Sequence, residues 1–218
     1  MRKITPAQII CFFTLFLMAI GCAFFTTDFL ANLIEFGRFH AVIYTVILVF
    51  LTYSFTIIVY RVFLFIAPLE EGALAHGSRG EFIAQVNILF YLMIFNSLIR
   101  THFLPVPLQT LVYALLGTKI GSNSFTAGVI LDPPLTEIGK NTIIGHDAVL
   151  YSHAIEGQHF ALSRIKIGDN VTIGAHAIIM SDVHIEDSAI ISAGAVVKKG
   201  ERIGAAEKWG GVPAKRIR

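Results

Sequence analysis

Aliphatic residues recur every six positions through the second half of the chain. The series runs without a slip through Ile167, Ile173, Ile179, Ile185, Ile191, Val197 and Ile203. Small or β-branched residues lie four positions after each of the first five, at Val171, Ala177, Val183, Ala189 and Ala195. A helix repeats every 3.6 residues and a strand every two, so a period of six indicates a chain that coils.

A six-residue repeat predicts one short strand on each face of a three-sided coil, with about eighteen residues per turn. The pattern continues upstream through Ile138, Ile144 and Leu150, and once more at Ile120. We therefore predict a mainly β fold whose residues 117–218 form a left-handed parallel β-helix of about five coils.

The first predicted coil departs from the repeat. Thr126 and Asp132 stand where aliphatic residues belong, and Pro133-Pro134 follows directly. We expect this coil to be distorted, because proline lacks the N–H that a strand needs for pairing.

Two long apolar segments precede the repeat. Residues 9–27 and 41–60 carry no charged side chain, and about 20 apolar residues are enough to cross a bilayer as a helix. We predict a hairpin of two transmembrane helices over residues 1–67, followed by a loop and interfacial helices over 68–116. A third apolar run, 82–99, contains polar residues and could also cross. Three crossings would place the coil on the far side from the basic N-terminus, so we expect this run to lie in the membrane interface or to pack under the coil.

Composition agrees with a membrane protein. The chain is 55% hydrophobic and 15% charged, with a mean hydropathy of +0.69, outside the range of soluble domains. Basic residues border the outer ends of the two spans, whereas the loop between the spans carries both acidic and basic residues. The residues concerned are Arg2, Lys3 and Arg61 against Asp28, Glu35 and Arg38.

The charge distribution predicts a multi-pass protein of the inner (cytoplasmic) membrane, with both termini and the coil in the cytoplasm. A lipoprotein-type processing site at 19–22 is the competing interpretation. It is disfavoured because a second apolar span follows.

The repeat is interrupted between Leu150 and Ile167, where the spacing is seventeen residues. The coil is expected to extrude a loop there, carrying His153, Glu156 and His159. Histidine suits proton transfer near neutral pH, and His153, where the chain leaves the wall, is the candidate base. His159 is the competitor. Glu156 is either an orienting group or a solvated carboxylate.

The repeat, the histidine loop, the restart at 167–176 and the ending Trp-Gly-Gly-Val-Pro-Ala-Lys together resemble the hexapeptide-repeat acyltransferases, such as galactoside and maltose acetyltransferases. Residues 117–214 resemble more specifically the β-helical C-terminal regions of polylysine-synthetase-type enzymes. The matching stretches are 115–121, 152–156, 197–201 and 209–214. The resemblance covers under half the chain, and the acceptor-binding segments of the family have no counterpart here.

The resemblance implies transfer of an acyl group, expected to be acetyl, from acyl-CoA by a homotrimer with His153 as general base. It also implies that the backbone N–H of Ala175 holds the thioester carbonyl. The residues expected to bind the cofactor are Gly174, Ala175, Ala193, Gly194, Lys198, Lys199, Trp209, Pro213 and Lys215. Among them, Lys198 and Lys199 are chosen for their charge rather than from the resemblance. Apolar outward positions such as Ile178, Ile190 and Val196 agree with association.

Together these features predict a membrane-anchored O- or N-acyltransferase. The lipid bilayer is one partner, and a membrane-associated glycan, lipid or peptide is the acceptor. The basic residues of 198–218 exceed the acidic ones by five, which suits cofactor phosphates or anionic lipids. No basic-aromatic pattern indicates nucleic acid.

Two alternatives remain open. One is a non-catalytic trimeric membrane scaffold. The other is a zinc enzyme like the γ-class carbonic anhydrases, which needs a close histidine pair with a third histidine about two coils earlier. His153 and His159 have only His102 and His146 upstream, neither well placed, so no metal is expected. His146, His176 and His184 occupy outward repeat positions.

Overall fold

The computed structural model describes residues 3–33, 37–101 and 103–217. Arg2, Glu35, His102 and Arg218 lie outside the described residues, so the expectations that involve them keep their status as predictions.

The first half of the described chain is helical. It contains α1 (Pro6–Leu33), a 3-10 turn (Gly37–Phe39), α2 (His40–Ile66), α3 (Arg79–Phe90), a π-helical turn (Tyr91–Phe95), α4 (Asn96–Arg100) and α5 (Val106–Leu116). The long helices α1 and α2 pack against each other as a hairpin. The fold is thus α-helical over its first half and β over its second.

Three described helices are long and apolar enough to cross a membrane: Pro6–Leu33, Gly37–Ile66 and Arg79–Arg100. The third is the most buried, because it packs on the other two. The ring of Phe90 contacts that of Phe12, and the Tyr60 hydroxyl donates a 2.7 Å hydrogen bond to the Asn87 side chain. By length and composition the third helix qualifies as a span, and its predicted interfacial position remains a prediction.

Helix α5 covers the open end of the first coil. Its Tyr113 hydroxyl accepts a 2.9 Å hydrogen bond from the Ile130 N–H and donates to the Gly128 carbonyl. The Thr110 hydroxyl accepts from the backbone N–H of Thr126. These bonds satisfy strand groups that would otherwise form an exposed sheet edge.

The second half is a three-sided parallel β-helix. Sheet 1 contains β2 (Lys119–Ile120), β5 (Thr136–Ile138), β10 (Ile165–Ile167), β13 (His184–Ile185) and β16 (Arg202–Ile203). Sheet 2 contains β3 (Phe125–Thr126), β6 (Ile143–Ile144), β11 (Thr172–Ile173), β14 (Ile190–Ile191) and β17 (Lys208–Gly210), with β18 (Lys215–Arg216) antiparallel at its edge. Sheet 3 contains β4 (Val129–Ile130), β7 (Val149–Leu150), β12 (Ile178–Ile179) and β15 (Val196–Val197).

The predicted stacking is confirmed. Ile167 pairs with Ile185, and Ile179 pairs with Val197, eighteen residues apart in each case. All four side chains are buried in the prism interior. The sheets thus give about five coils, as the repeat predicts.

The first coil is distorted, as predicted, at its third corner. β4 lies two residues earlier than the six-residue repeat predicts. Ile130 rather than Asp132 therefore occupies the interior position that stacks on Leu150. Asp132 therefore leaves the repeat and lies, fully buried, just before the 3-10 turn Pro133–Leu135. The two prolines fit this turn, because neither needs an N–H there.

The outer faces of the three sheets differ in character. Sheet 1 presents mostly charged side chains, whereas sheets 2 and 3 present mostly apolar ones. Sheet 1 carries Lys119, Glu137, Lys166, His184 and Arg202; sheet 2 carries Phe125, Ile143, Thr172, Ile190 and Lys208; sheet 3 carries Val129, Val149, Ile178 and Val196.

Candidate active site

The predicted extruded loop is a β-hairpin. β8 (His153–Glu156) and β9 (His159–Leu162) pair antiparallel, and Gly157, with φ +62°, lies in the turn between them. A strand from the linker after α2, β1 (Gly72–Ala73), pairs with the outer side of β9. The hairpin is therefore held on one side by chain that leads directly from the apolar helices.

His153 lies where the hairpin leaves the coil, and Asp132 holds it there. Nδ1 of His153 lies 2.7 Å from Oδ2 of Asp132. The same oxygen accepts hydrogen bonds from the backbone N–H groups of Ser152, at 2.8 Å, and of His153, at 3.1 Å. One carboxylate oxygen thus contacts the imidazole and two backbone N–H groups.

This contact defines the tautomer of His153. A carboxylate oxygen only accepts, so Nδ1 carries the proton and Nε2 is left with its lone pair. The side chain of His153 is 24% exposed, enough for Nε2 to be reached. An imidazole oriented by a buried carboxylate is the arrangement of a general base.

Two opposing effects set the pKa of His153. Burial alone would lower it, because the charged imidazolium is poorly solvated there. The hydrogen bond and the negative charge of Asp132 outweigh burial, so the pKa is raised above its ordinary value of 6.5.

The sequence alone did not identify Asp132 as part of the site. Asp132 stands where the repeat places an aliphatic residue, and this departure by itself predicts only that the first coil is distorted. A carboxylate at a position where the repeat demands an interior aliphatic residue was the available signal, since buried carboxylates need partners.

Glu156 and His159 lie at the tip of the hairpin and face each other in its register. Both are exposed. Glu156 forms a 3.7 Å ion pair with Lys199, while Asp132 takes the place beside His153 for which Glu156 was considered. The tip of the hairpin thus lies against a later coil. It is three residues, or about 10 Å, along the strand from His153.

The predicted thioester-binding residues lie at the corner between sheets 2 and 3. Ala175 and Gly194 are stacked on neighbouring coils there, and the Gly194 N–H donates a 2.9 Å hydrogen bond to the Ala175 carbonyl. Within the described part of the chain, the backbone N–H groups of Ala175 and Ala193 donate to no acceptor. Both are therefore available to a carbonyl oxygen. Gly174 belongs to the same corner, where its backbone runs against that of Ala193.

The remaining predicted residues occupy two other places. Lys198 and Lys199 follow β15, at the corner between sheets 3 and 1 where the hairpin also begins. Trp209 lies in β17 and donates a 2.8 Å hydrogen bond from Nε1 to Glu207. Pro213 and Lys215 belong to the C-terminal return, whose Ala214 bonds to the backbone of Val196 at the edge of sheet 3. The side chains of these predicted residues are exposed, apart from that of Trp209, which is half-buried.

Within one chain, His153 and Ala175 lie beyond opposite ends of the strands of sheet 3. His153 comes after β7, at the carboxyl end of the sheet, whereas Ala175 comes before β12, at its amino end. The two strands are parallel neighbours. One chain therefore does not bring the candidate base and the candidate thioester corner together.

Among residues 3–33, 37–101 and 103–217 there is no group of three or more His, Cys, Asp or Glu side chains that could hold a metal ion. The rings of His146 and His176 lie on adjacent coils with centroids 6.3 Å apart. His184 lies on sheet 1, where burial and then the charges of Arg202 and Lys166 lower its pKa.

Comparison with known proteins identifies the repeat. Residues 164–199 match the family described as "Bacterial transferase hexapeptide (six repeats)". The predicted resemblance to hexapeptide-repeat transferases is therefore confirmed for the coil.

Two curated relatives match a similar share of the chain. One is "Putative acetyltransferase YvoF" of Bacillus subtilis (strain 168), 36% identical over 88 residues, which are 38% of this chain and 51% of the relative. Another is "Gamma carbonic anhydrase 2, mitochondrial" of Arabidopsis thaliana, 35% identical over 83 residues, which are 38% of this chain and 26% of the relative. This chain thus covers about half of the first and about a quarter of the second.

Among solved structures, a hexapeptide-repeat acetyltransferase from Vibrio cholerae O1 biovar eltor, complexed with acetyl coenzyme A, is 25% identical. The match covers 47% of this chain and 60% of that one, with a TM-score of 0.44.

Proposed function

We propose that the protein is a membrane-anchored acyltransferase. It would move an acyl group, acetyl in the first instance, from acyl-CoA to a hydroxyl or amine of a membrane-associated acceptor. The observation that carries this proposal is the His153–Asp132 pair, an oriented imidazole at the base of a hairpin extruded from a hexapeptide-repeat coil.

In the proposed reaction, Nε2 of His153 takes the proton from the acceptor hydroxyl or amine. The acceptor oxygen or nitrogen then bonds to the thioester carbon, and the carbon–sulfur bond breaks. His153 returns the proton to the departing thiolate, so no other proton donor is needed. Asp132 keeps Nδ1 protonated throughout and stabilises the imidazolium that forms between the two steps.

The chain offers suitable contacts for acyl-CoA. The unpaired backbone N–H of Ala175, and that of Ala193 on the next coil, could donate to the thioester oxygen as negative charge develops there. Lys198, Lys199 and Lys215 supply cations near the end of the coil for the phosphates. These assignments remain proposals, as does covering of the nucleotide by the segment around Trp209 and Pro213.

A trimer would complete the site. Since His153 and the Ala175 corner lie at opposite edges of sheet 3, a neighbouring copy must bring its own corner to His153. The apolar outer faces of sheets 2 and 3 favour such an association, because Ile143 and Ile190 are about half exposed in one chain. We therefore propose a homotrimer with active sites at its three subunit junctions.

The helices α1 and α2, both apolar and long enough to cross a bilayer, support membrane attachment. In the proposed orientation the coil lies on the cytoplasmic side of the inner membrane. The strand β1, which leads from α2, pairs with the hairpin that carries His153. An active site attached in this way to the membrane region suits an acceptor that is itself membrane-bound, whether glycan, lipid or peptide.

A test is incubation of purified protein with radiolabelled acetyl-CoA and a membrane extract. Label should move into the lipid phase with wild-type protein and not with His153→Ala. If no extract or acyl-CoA yields a labelled product, the proposal is contradicted. A non-catalytic scaffold predicts instead that His153→Ala fully complements a deletion strain.

A second candidate is a zinc enzyme, favoured by the 35% identity to a γ-class carbonic anhydrase over 83 residues and by the proximity of His146 to His176. It predicts about one zinc ion per subunit in elemental analysis. Acyl transfer by a metal-free preparation would exclude it.

A further inference from the structure

A cavity of about 290 Å³ lies between the end of α2 and the first coil. Its walls include Arg61, Phe65 and Pro68 from the helical region, and Pro134 and Arg164 from the coil. The cavity is distinct from the acyl-transfer residues described above, because none of them lines it.

The two arginines of this cavity differ in their partners. The guanidinium of Arg164 is neutralised by Glu71, at 2.9 Å, and by Glu137, at 3.0 Å. Arg61 forms no ion pair with any described residue, and its one hydrogen bond is a long one of 3.4 Å to the Leu116 carbonyl. The cavity therefore carries one uncompensated positive charge.

Arg61 contacts the end of α5. Its guanidinium lies against Gly117, so closely that a Cβ at Gly117 would collide with it. Gly117 also has φ +115°, which favours glycine. The end of α5 thus leaves room for this arginine.

Apolar surface continues from the same place. Phe65 is 89% exposed and Ile66 is 70% exposed, and both lie in the last turn of α2. A cation next to exposed apolar side chains at the end of a hydrophobic helix matches the boundary between lipid headgroups and acyl chains.

We propose that this cavity binds the headgroup phosphate of an anionic membrane phospholipid. Arg61 would donate charge-assisted hydrogen bonds to the phosphate, while the acyl chains would lie along Phe65 and Ile66. The proposal rests on the membrane location in the proposed function but not on acyl transfer. It adds a lipid site that would hold the coil against the bilayer surface at a set height.

The test measures binding by the full chain in detergent, without acyl-CoA. The probes are dioctanoyl phosphatidylglycerol, dioctanoylglycerol, which lacks the phosphate, and inorganic phosphate, which lacks the chains. Thermal unfolding and native mass spectrometry report binding. We expect wild-type protein to bind the phosphatidylglycerol, and to bind the other two at least about tenfold more weakly.

Arg61→Gln should weaken phosphatidylglycerol binding by about tenfold or more, while Arg61→Lys should retain part of it. The matched control is Arg38→Gln, in the 3-10 turn that precedes α2, which should bind as wild type. If Arg61→Gln does not fold, Phe65→Glu provides the test, because this exposed residue would place a negative charge at the cavity and repel the phosphate.

Equal binding of dioctanoylglycerol, or wild-type affinity in a folded Arg61→Gln or Phe65→Glu variant, would overturn the proposal. Inorganic phosphate binding as tightly as the lipid would overturn the assignment to a lipid. None of these readouts depends on turnover, so a failure of acyl transfer would leave the result on lipid binding intact.

Discussion

Asp132 and His153 are joined by a 2.7 Å contact although they are 21 residues apart and on different coils. The contact exists because the first coil closes early, with Ile130 in the interior position, and Asp132 is left at the corner facing the next coil. Its carboxylate then receives two backbone N–H groups and the imidazole. The irregular corner of the first coil thus provides the group that orients the candidate base.

Replacing Asp132 with Asn tests this orientation. Asn presents an amide that can donate to Nδ1, which would favour the wrong tautomer and leave Nε2 protonated. We expect turnover to fall by about 10² to 10⁴, the value of a positioned general base, with acyl-CoA affinity nearly unchanged. Steady-state kinetics and isothermal titration measure the two quantities. Asp147→Asn, at an outer corner, is the control and should retain activity. Unchanged turnover in Asp132→Asn would show that the pair is structural.

The pH dependence follows from the raised pKa of His153. The base must be neutral, so the rate should decline as pH falls through a pKa above 6.5. In Asp132→Asn the raising effects are lost and burial remains, so the midpoint of any residual activity should move to lower pH. A pH profile of kcat/KM for both proteins measures the shift. A midpoint that does not move would contradict the assignment.

The same raised pKa has a consequence for stability. A group with a higher pKa in the folded state stabilises the fold when protonated. The contribution of His153 should be complete below its unfolded value of about 6.5 and should disappear as pH rises through the folded value. Thermal unfolding of wild type and His153→Gln across this range should converge at high pH.

The proposed trimer predicts that charge on the apolar outer faces dissociates it. Ile190→Lys, in sheet 2, should give monomers, because an unpaired charge would be buried in the interface. His184→Lys, on the charged face of sheet 1, is the control and should remain trimeric. Mass photometry in detergent distinguishes the two. A wild-type protein of monomer mass would exclude the trimer, and a trimeric Ile190→Lys would place the interface elsewhere.

The aliphatic side chains stacked inside the coil are expected to contribute more to its stability than those on the outer faces. Ile179 is fully buried, so Ile179→Ala should lower the free energy of unfolding by about 2–5 kcal/mol. Lys166→Ala, on the outer face, should change it by less than about 0.5 kcal/mol. Denaturant titration followed by circular dichroism provides the comparison. Similar losses in both variants would contradict the stacking of Ile179 on Val197.

The sequence predicted the coil because its period is fixed by local geometry. Ile167, Ile173, Ile179 and Ile185 each had to stack on the Ile or Val eighteen residues later. It predicted that the chain leaves the wall near His153 for the same reason. The role of Asp132 depends on a shift of two residues in the first coil, and the pairing of β1 with β9 joins distant segments. No local pattern encodes either contact, so only the folded structure reveals them.

In the proposed reaction, His153 removes the acceptor proton. The direct measurement is turnover of acyl-CoA in the presence of a membrane acceptor by wild type, His153→Ala and His159→Ala. We expect His153→Ala to lose about 10² to 10⁴ in turnover with acyl-CoA binding nearly intact. His159→Ala, at the hairpin tip, should lose less than about tenfold. Wild-type turnover by His153→Ala, or a larger loss at His159, would contradict the account.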